Sequence, residues 1–319
     1  MNTVAGLKHG LILGLGLALA APAFAQDRLA VGTTSSSSSQ YGYYVAVAQV
    51  LKSVGVDLQV VETGASLDNL RRLDRGQVDM GLVTTNIAKL AAEGHESIPQ
   101  QSDTQTLWIY AQLPQNVIVR ADAEIDSIAD LEGVQYNPGI RGSATESTAE
   151  RVFAAMGVQP DFVRGSTGDT VDAIKDNRVA GYVKSGVGYK VDGSTLDLAS
   201  FVPVKILGLT DEQKQSISEQ VSDVTLMDVP AGAIEGAEPY TTWSMGFATV
   251  VKPDFDEETA YRIAKAIFED QEIQRGAFAV TGEFDLAQLT IDVATTPLHP
   301  GTIRYLEEKG YKVLDDLRP

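Results

Sequence analysis

The sequence predicts an α/β fold built as two lobes. Three observations lead there. Short apolar runs alternate with segments of helical period, the alternation restarts past Pro114, and residues 26–319 exceed what one core usually organises. A leader precedes them. Lys8 and His9 form a short polar start, residues 10–20 are an apolar run, and Ala23-Phe24-Ala25 supplies small residues for signal-peptidase cleavage. The run is shorter than the ~20 apolar residues of a membrane span. Residues 1–25 are therefore expected to be removed and the rest exported to the periplasm. No Cys is present to carry a lipid, a disulfide or a thiol nucleophile.

Residues 28–32 read as the first strand, followed by a polar loop over 33–40 that contains the serine run 35–39. Val47, Val50, Leu51 and Val54 recur at i, i+3, i+4 and i+7, one apolar helix face. Residues 58–62 make a second strand. Ser66 is placed to cap the next helix, which buries Leu67, Leu70 and Leu73, exposes Asp68 and Arg72 as an i,i+4 pair, and ends at Gly76. Strands over 80–84 and 107–113 complete this half.

Beyond Pro114, residues 117–120 read as a strand, a short helix runs from Ser127 to near Gly133, and 134–137 form another strand. Ser143 and Glu146 have capping-box spacing; Ala149, Val152, Phe153 and Met156 share a face, and Gly157 stops that helix. A helix over 170–176 leads into a strand over 179–183. Residues 243–251 read as a strand returning to the first lobe. Ala260, Ile263, Ala264 and Ile267 then mark a helix face, and Pro300 opens the last helix. Lobe I is thus assigned to 26–115 and 252–319, lobe II to 116–251, with hinges at 114–117 and 247–251.

Lys and Arg number 25 against 43 Asp and Glu, a net charge of -18, and loss of the leader's Lys8 makes the balance one unit more acidic. Such a surface repels nucleic acid and anionic lipid, so neither is an expected partner. It also repels an anionic ligand, so a carboxylate site needs local donors: helix N-termini, hydroxyls and placed cations. Enzyme chemistry finds little support. Only His95 and His299 lie beyond the leader, and neither a nucleophile elbow nor a phosphate loop occurs. Glu257-Glu258 and Glu307-Glu308 read as solvated helix faces, and no twelve-residue Ca²⁺ loop is present. No catalytic residue, metal or cofactor is expected.

Four blocks in order carry a family resemblance: Leu29-Ala30-Val31-Gly32-Thr33 with Tyr41 to Tyr44; Thr63 to Leu70 through Met80; Val117 to Arg120 through Gly142 to Glu146; and Pro297-Leu298-His299-Pro300-Gly301 with Tyr305. Together they resemble the TAXI family of solute receptors, the extracytoplasmic component of one branch of the tripartite ATP-independent periplasmic (TRAP) transporters. The resemblance implies the type II periplasmic-binding-protein fold, two α/β lobes joined by crossing strands with ligand in the cleft. It implies capture of small organic acids or amino acids, often glutamate-like, and docking to membrane subunits driven by an ion gradient. A monomeric receptor is expected. A receptor of the same fold serving an ATP-driven importer or a sensor kinase is the alternative.

The resemblance also places three loops at the cleft. The first offers Thr33, Ser35 and Ser36; the second offers Ser66 or Asn69. The third, after Asn137, offers Ser143 and Thr145 at a helix start whose free N–H groups suit an anion, although capping alone would also explain them. Arg141 immediately precedes that start, and its planar fork suits a carboxylate; a solvated arginine is the other reading. Lys184 is a second cation beside Tyr182, and Tyr41 and Trp243 are the aromatics expected at the cleft. Many members of the family carry an acid after the third strand, where this chain has Thr84, Thr85 and Asn86. Asn cannot neutralise an ammonium. That departure implies a ligand without an amino group, 2-oxoglutarate or another small dicarboxylate, with glutamate or glutamine as the alternative if Glu62 replaces the missing charge.

Overall fold

Two long strands organise the molecule, and each carries apolar residues of two separate cores. The computed structural model describes residues 27–98, 101–270 and 272–319; the expected leader lies outside them. The first elements are β1 (Asp27–Gly32), α1 (Ser39–Leu51), β2 (Val56–Val61), α2 (Ser66–Asp74), β3 (Met80–Thr84), α3 (Thr85–Glu93) and the long β4 (Gln105–Arg120). Then come β5 (Gln135–Tyr136), α4 (Ala144–Ala155), β6 (Asp161–Phe162), α5 (Thr167–Lys175), β7 (Gly181–Ser185) and α6 (Gly193–Ala199). β8 (Val204–Leu207), α7 (Asp211–Gln220), β9 (Thr225–Val229) and the second long strand, β10 (Tyr240–Val251), follow. The chain closes with α8 (Glu257–Glu269), α9 (Ile273–Ala277), α10 (Leu286–Val293) and α11 (Pro300–Glu308).

The central sheet is mixed and runs β2-β1-β3-β10-β4-β7, with β8 also on β4 and β9 on β10. β1 is parallel to β2 and β3, whereas β10 is antiparallel to both β3 and β4. Along β4, Leu107, Trp108, Tyr110 and Ala111 pack with α1 and α8 and Ile109 with α2, α3 and α10, while Val117 and Val119 pack with Phe153 of α4 and Ile217 of α7. β10 divides the same way: Ala248 to Val251 lie with the first set, and Trp243 with the second. Two α/β lobes thus share one pair of crossing strands.

The expected break at Pro114 does not occur. Proline removes one ladder donor but leaves an acceptor. Pro114 pairs with Ser244, its carbonyl accepts the Gly186 N–H at 2.8 Å, and the strand continues. Ser66 also departs from expectation. It begins α2 rather than capping it; Ala65 holds the N-cap position at φ 67°, and the Ser66 hydroxyl accepts the Thr84 N–H at 3.1 Å. At α4, Ser143 Oγ accepts the Glu146 N–H as expected. The return half of the capping box fails because the Ser143 N–H already donates to Ile140 O at 2.9 Å, and the Glu146 carboxylate turns to the Gly142 N–H.

His299 caps α11, its Nδ1 accepting the Gly301 N–H at 3.2 Å while Nε2 faces Phe255 O at 3.0 Å. That geometry needs the neutral ring protonated on Nε2, and burial lowers its pKa from the ordinary 6.5. The unfolded chain therefore takes up a proton first as pH falls. Stability should be full above pH 6.5 and fall by up to ~1.4 kcal/mol per unit below it, levelling once the folded ring titrates. His299→Asn, which keeps a capping acceptor, should flatten that segment of a urea-midpoint-against-pH curve.

Candidate ligand-binding site

β1, β2 and β3 all deliver their C-terminal ends to helix starts, so two loops, 33–38 and 62–65, and the direct β3–α3 junction at 84–85 open at one edge of the first lobe. In the second lobe, β5 and β6 run parallel and feed the starts of α4 and α5. Parallel strand ends followed by helix N-termini are where α/β sheets place ligands.

Several residues expected at the ligand instead hold these loops in place. Asn69 is fully buried; its Nδ2 donates to Thr33 O and Leu82 O, both at 2.8 Å, and its Oδ1 accepts from Thr63 Oγ1. It ties the ends of β1 and β3 together. Gly32 makes room, since a Cβ there would sit 2.4 Å from Asn69 Oδ1. Thr33 is buried too and donates to Val61 O at 2.8 Å. Asn137 donates to Val163 O and accepts from Gly139 N–H, fixing the start of its own loop. Thr145 Oγ1 reaches Gln115 Oε1 at 3.0 Å and links α4 to β4. Thr85 Oγ1 accepts the Gly246 N–H at 2.8 Å, joining α3 to β10. Each of these groups is polar at a strand end, which is the pattern a ligand contact shares with a strut.

The aromatics move as well. Trp243 has no exposed surface and lies against Phe153 in the second core, so it forms no cleft wall. Tyr182 is buried with its hydroxyl on Thr195. Tyr41 is half-buried and stays beside the first loop, its N–H donating to Ser38 Oγ.

Two expected anion positions are already filled by the protein's own carboxylates. Ser35 and Ser36 are exposed, yet the Ser36 N–H holds the Glu62 carboxyl below its ordinary range. At the start of α4, Glu146 occupies the Gly142 N–H. Lys184 is paired with Asp192 at 3.5 Å. Asn86 is fully buried, and neither of its amide atoms finds a partner among the described residues.

Arg141 differs from all of these. It is exposed, and its guanidinium makes no hydrogen bond or ion pair among the described residues. Gly142, at φ 78°, turns the chain immediately after it into Ser143 and α4. A groove of about 760 Å³ lies here between the lobes. The second lobe lines it with Arg141, Ser143, Glu146, Glu150 and Arg164; the first lines it with Leu67 of α2, Ile87 and Leu90 of α3, and the following Ser97 and Ile98. Arg164 is engaged by Glu150 and, at 3.0 Å, by Glu146. Sequence reasoning missed Arg164, the aliphatic wall and Gln115. Gln112 and Gln115 did leave a signal, as amides in an apolar strand.

The profile of the NMT1-like family matches residues 31–310. Among solved structures, a TctC solute-binding protein from Polaromonas superposes with a TM-score of 0.54 at 15% identity, covering 81% of this chain and 90% of that one. The periplasmic aliphatic sulphonate binding protein SsuA from Escherichia coli gives 0.46 at 14% identity, covering 88% of this chain and 83% of that one. The GluR0 ligand-binding core from Nostoc punctiforme in complex with (L)-glutamate gives 0.44 at 13%, covering 81% and 99%. At such identities the likeness is one of fold, and it is carried by the TctC superposition: a mixed α/β architecture with a central mixed sheet, the fold of a solute-binding protein.

Proposed function

This chain belongs to the NMT1-like family, and from that premise we propose that it is an exported, non-enzymatic solute-binding protein that holds a small organic acid between its lobes and delivers it to a membrane transporter. One observation carries the reading: Arg141, set at a helix start and unpaired among the described residues, lines the groove between the two lobes. The TctC protein that shares the fold is itself a solute-binding protein. No helix among the described residues is long and apolar enough to cross a membrane.

The lobes are proposed as 26–115 with 252–319 and 116–251, except that Ala248 to Val251 of β10 pack in the first core and go with the first lobe. The hinge lies where β4 and β10 pass between the cores. A ligand touching both walls favours the closed form by its differential affinity for it. Delivery to an ion-driven TRAP transporter rests on the four sequence blocks that resemble TAXI receptors. Asn86, standing where an acidic residue is usual, supports an acid without an amino group.

Hydrogen bonds to charged groups contribute about 1.5–3 kcal/mol. Arg141→Ala should therefore weaken binding of the best acid from a thermal-shift panel about 10- to 100-fold by calorimetry. Unchanged affinity would remove Arg141, and with it this reading of the groove.

A further inference from the structure

The groove's two walls differ in chemistry, and the difference bears on which acid fits. On the α4 side, Arg164 is shared between Glu146 and Glu150, which leaves Arg141, among the described residues, as the one lining cation without a carboxylate. Across from it stand Leu67, Ile87, Leu90 and Ile98, with Ser97 the single polar neighbour among the described residues. Leu67, Ile87 and Ile98 are half-buried, so aliphatic surface remains for a ligand to cover. A second carboxylate on the ligand would meet this aliphatic wall, the two glutamates that already hold Arg164, or neutral serine hydroxyls, none of which supplies a free cation. Desolvating a charge without a partner is strongly unfavourable.

Resting on the ligand-site reading above, we infer that the ligand is a monoanion with an aliphatic body, its charged head on Arg141 and its chain along α2 and α3. This narrows the organic acid away from a dicarboxylate. The same head-and-tail chemistry is offered by an alkyl carboxylate or an alkyl sulfonate, which the experiment separates.

The test is calorimetry on the purified protein with hexanoate, octanoate, octanesulfonate and octanedioate. Each buried methylene is worth about 0.8 kcal/mol, or about fourfold in affinity. Octanoate should thus bind about 15-fold tighter than hexanoate, and octanedioate at least about 30-fold more weakly than octanoate. The ratio of octanoate to octanesulfonate identifies the head group; tight binding of either supports the inference. Ile87→Lys, which adds a cation to the aliphatic wall, should shift the preference toward octanedioate. Octanedioate binding as tightly as octanoate, affinity independent of chain length, or no binding of either monoanion at millimolar concentration would each overturn the inference. The site reading fails separately: it falls if Arg141→Ala leaves the affinity of every acid that binds unchanged. Length-independent but Arg141-dependent binding overturns only the narrower claim.

Discussion

Asn69→Ala is expected to lower the unfolding free energy by about 3 kcal/mol, because one side chain satisfies two carbonyls at the ends of different strands. Leu82 O loses its side-chain donor outright, and Thr33 O keeps only Thr63 Oγ1 at 2.7 Å. An unsatisfied buried polar group costs about 1–3 kcal/mol, and the vacated volume adds to it. Asn69→Asp should be worse than alanine at neutral pH. It keeps the shape but supplies no donor, and it sets a buried charge against two carbonyl oxygens. Its folded pKa would be raised, so the folded state binds more protons, and the excess destabilisation over alanine should fade as pH falls toward the carboxylate range. Urea unfolding of both variants at pH 7 and 5 checks this. Equal midpoints for alanine and wild type would mean that Asn69 does not tie β1 to β3.

Gly181→Ala is the second large effect. Gly181 pairs with Val119, and a Cβ on it would stand 2.0 Å from Ile118 O and 2.8 Å from Val119 Cα. Both contacts are backbone of the neighbouring strand, so no side chain can swing away. β4 and β7 would have to part, at about 3 kcal/mol or more. The Gly181 carbonyl also accepts the Asn137 N–H, so the shift reaches the loop that leads to Arg141. Gly168→Ala in α5 is the control. Nothing lies within 4 Å of its added Cβ, and helix propensity should make the change neutral or stabilising by up to about 1 kcal/mol. Chemical denaturation of the pair separates a packing requirement from a generic effect of glycine replacement.

Much of the fold was legible wherever burial alternates along a local element. Ala260, Ile263, Ala264 and Ile267 are the buried face of α8 as their spacing required, and β3 spans 80–84 as expected. Helices without that contrast were invisible. α7 buries Ile217 alone, so it has no apolar stripe to detect. α10 buries Leu286, Ala287, Leu289, Thr290, Ile291 and Val293, so its period is hidden by burial on nearly every side. The continuity of β4 through Pro114 was equally unreadable, because it depends on β10 pairing on both sides of the proline.

Residue order alone settled the α/β alternation, the helix starts at Ser143 and Pro300, and the presence of hydroxyls, amides and an arginine at strand ends. These follow from local period and capping, which involve neighbours in the chain. Tertiary structure decided which of those polar groups remain available to a ligand. Asn69, Asn137, Thr145 and Tyr182 are satisfied by partners distant in sequence, and Glu62 has taken the donors of Ser36. Among the described residues Arg141 stays unpaired, because Glu146 and Glu150, the carboxylates lining its groove, are held by Arg164. A hydrogen-bonding group is free only if nothing brought near by folding has already claimed it.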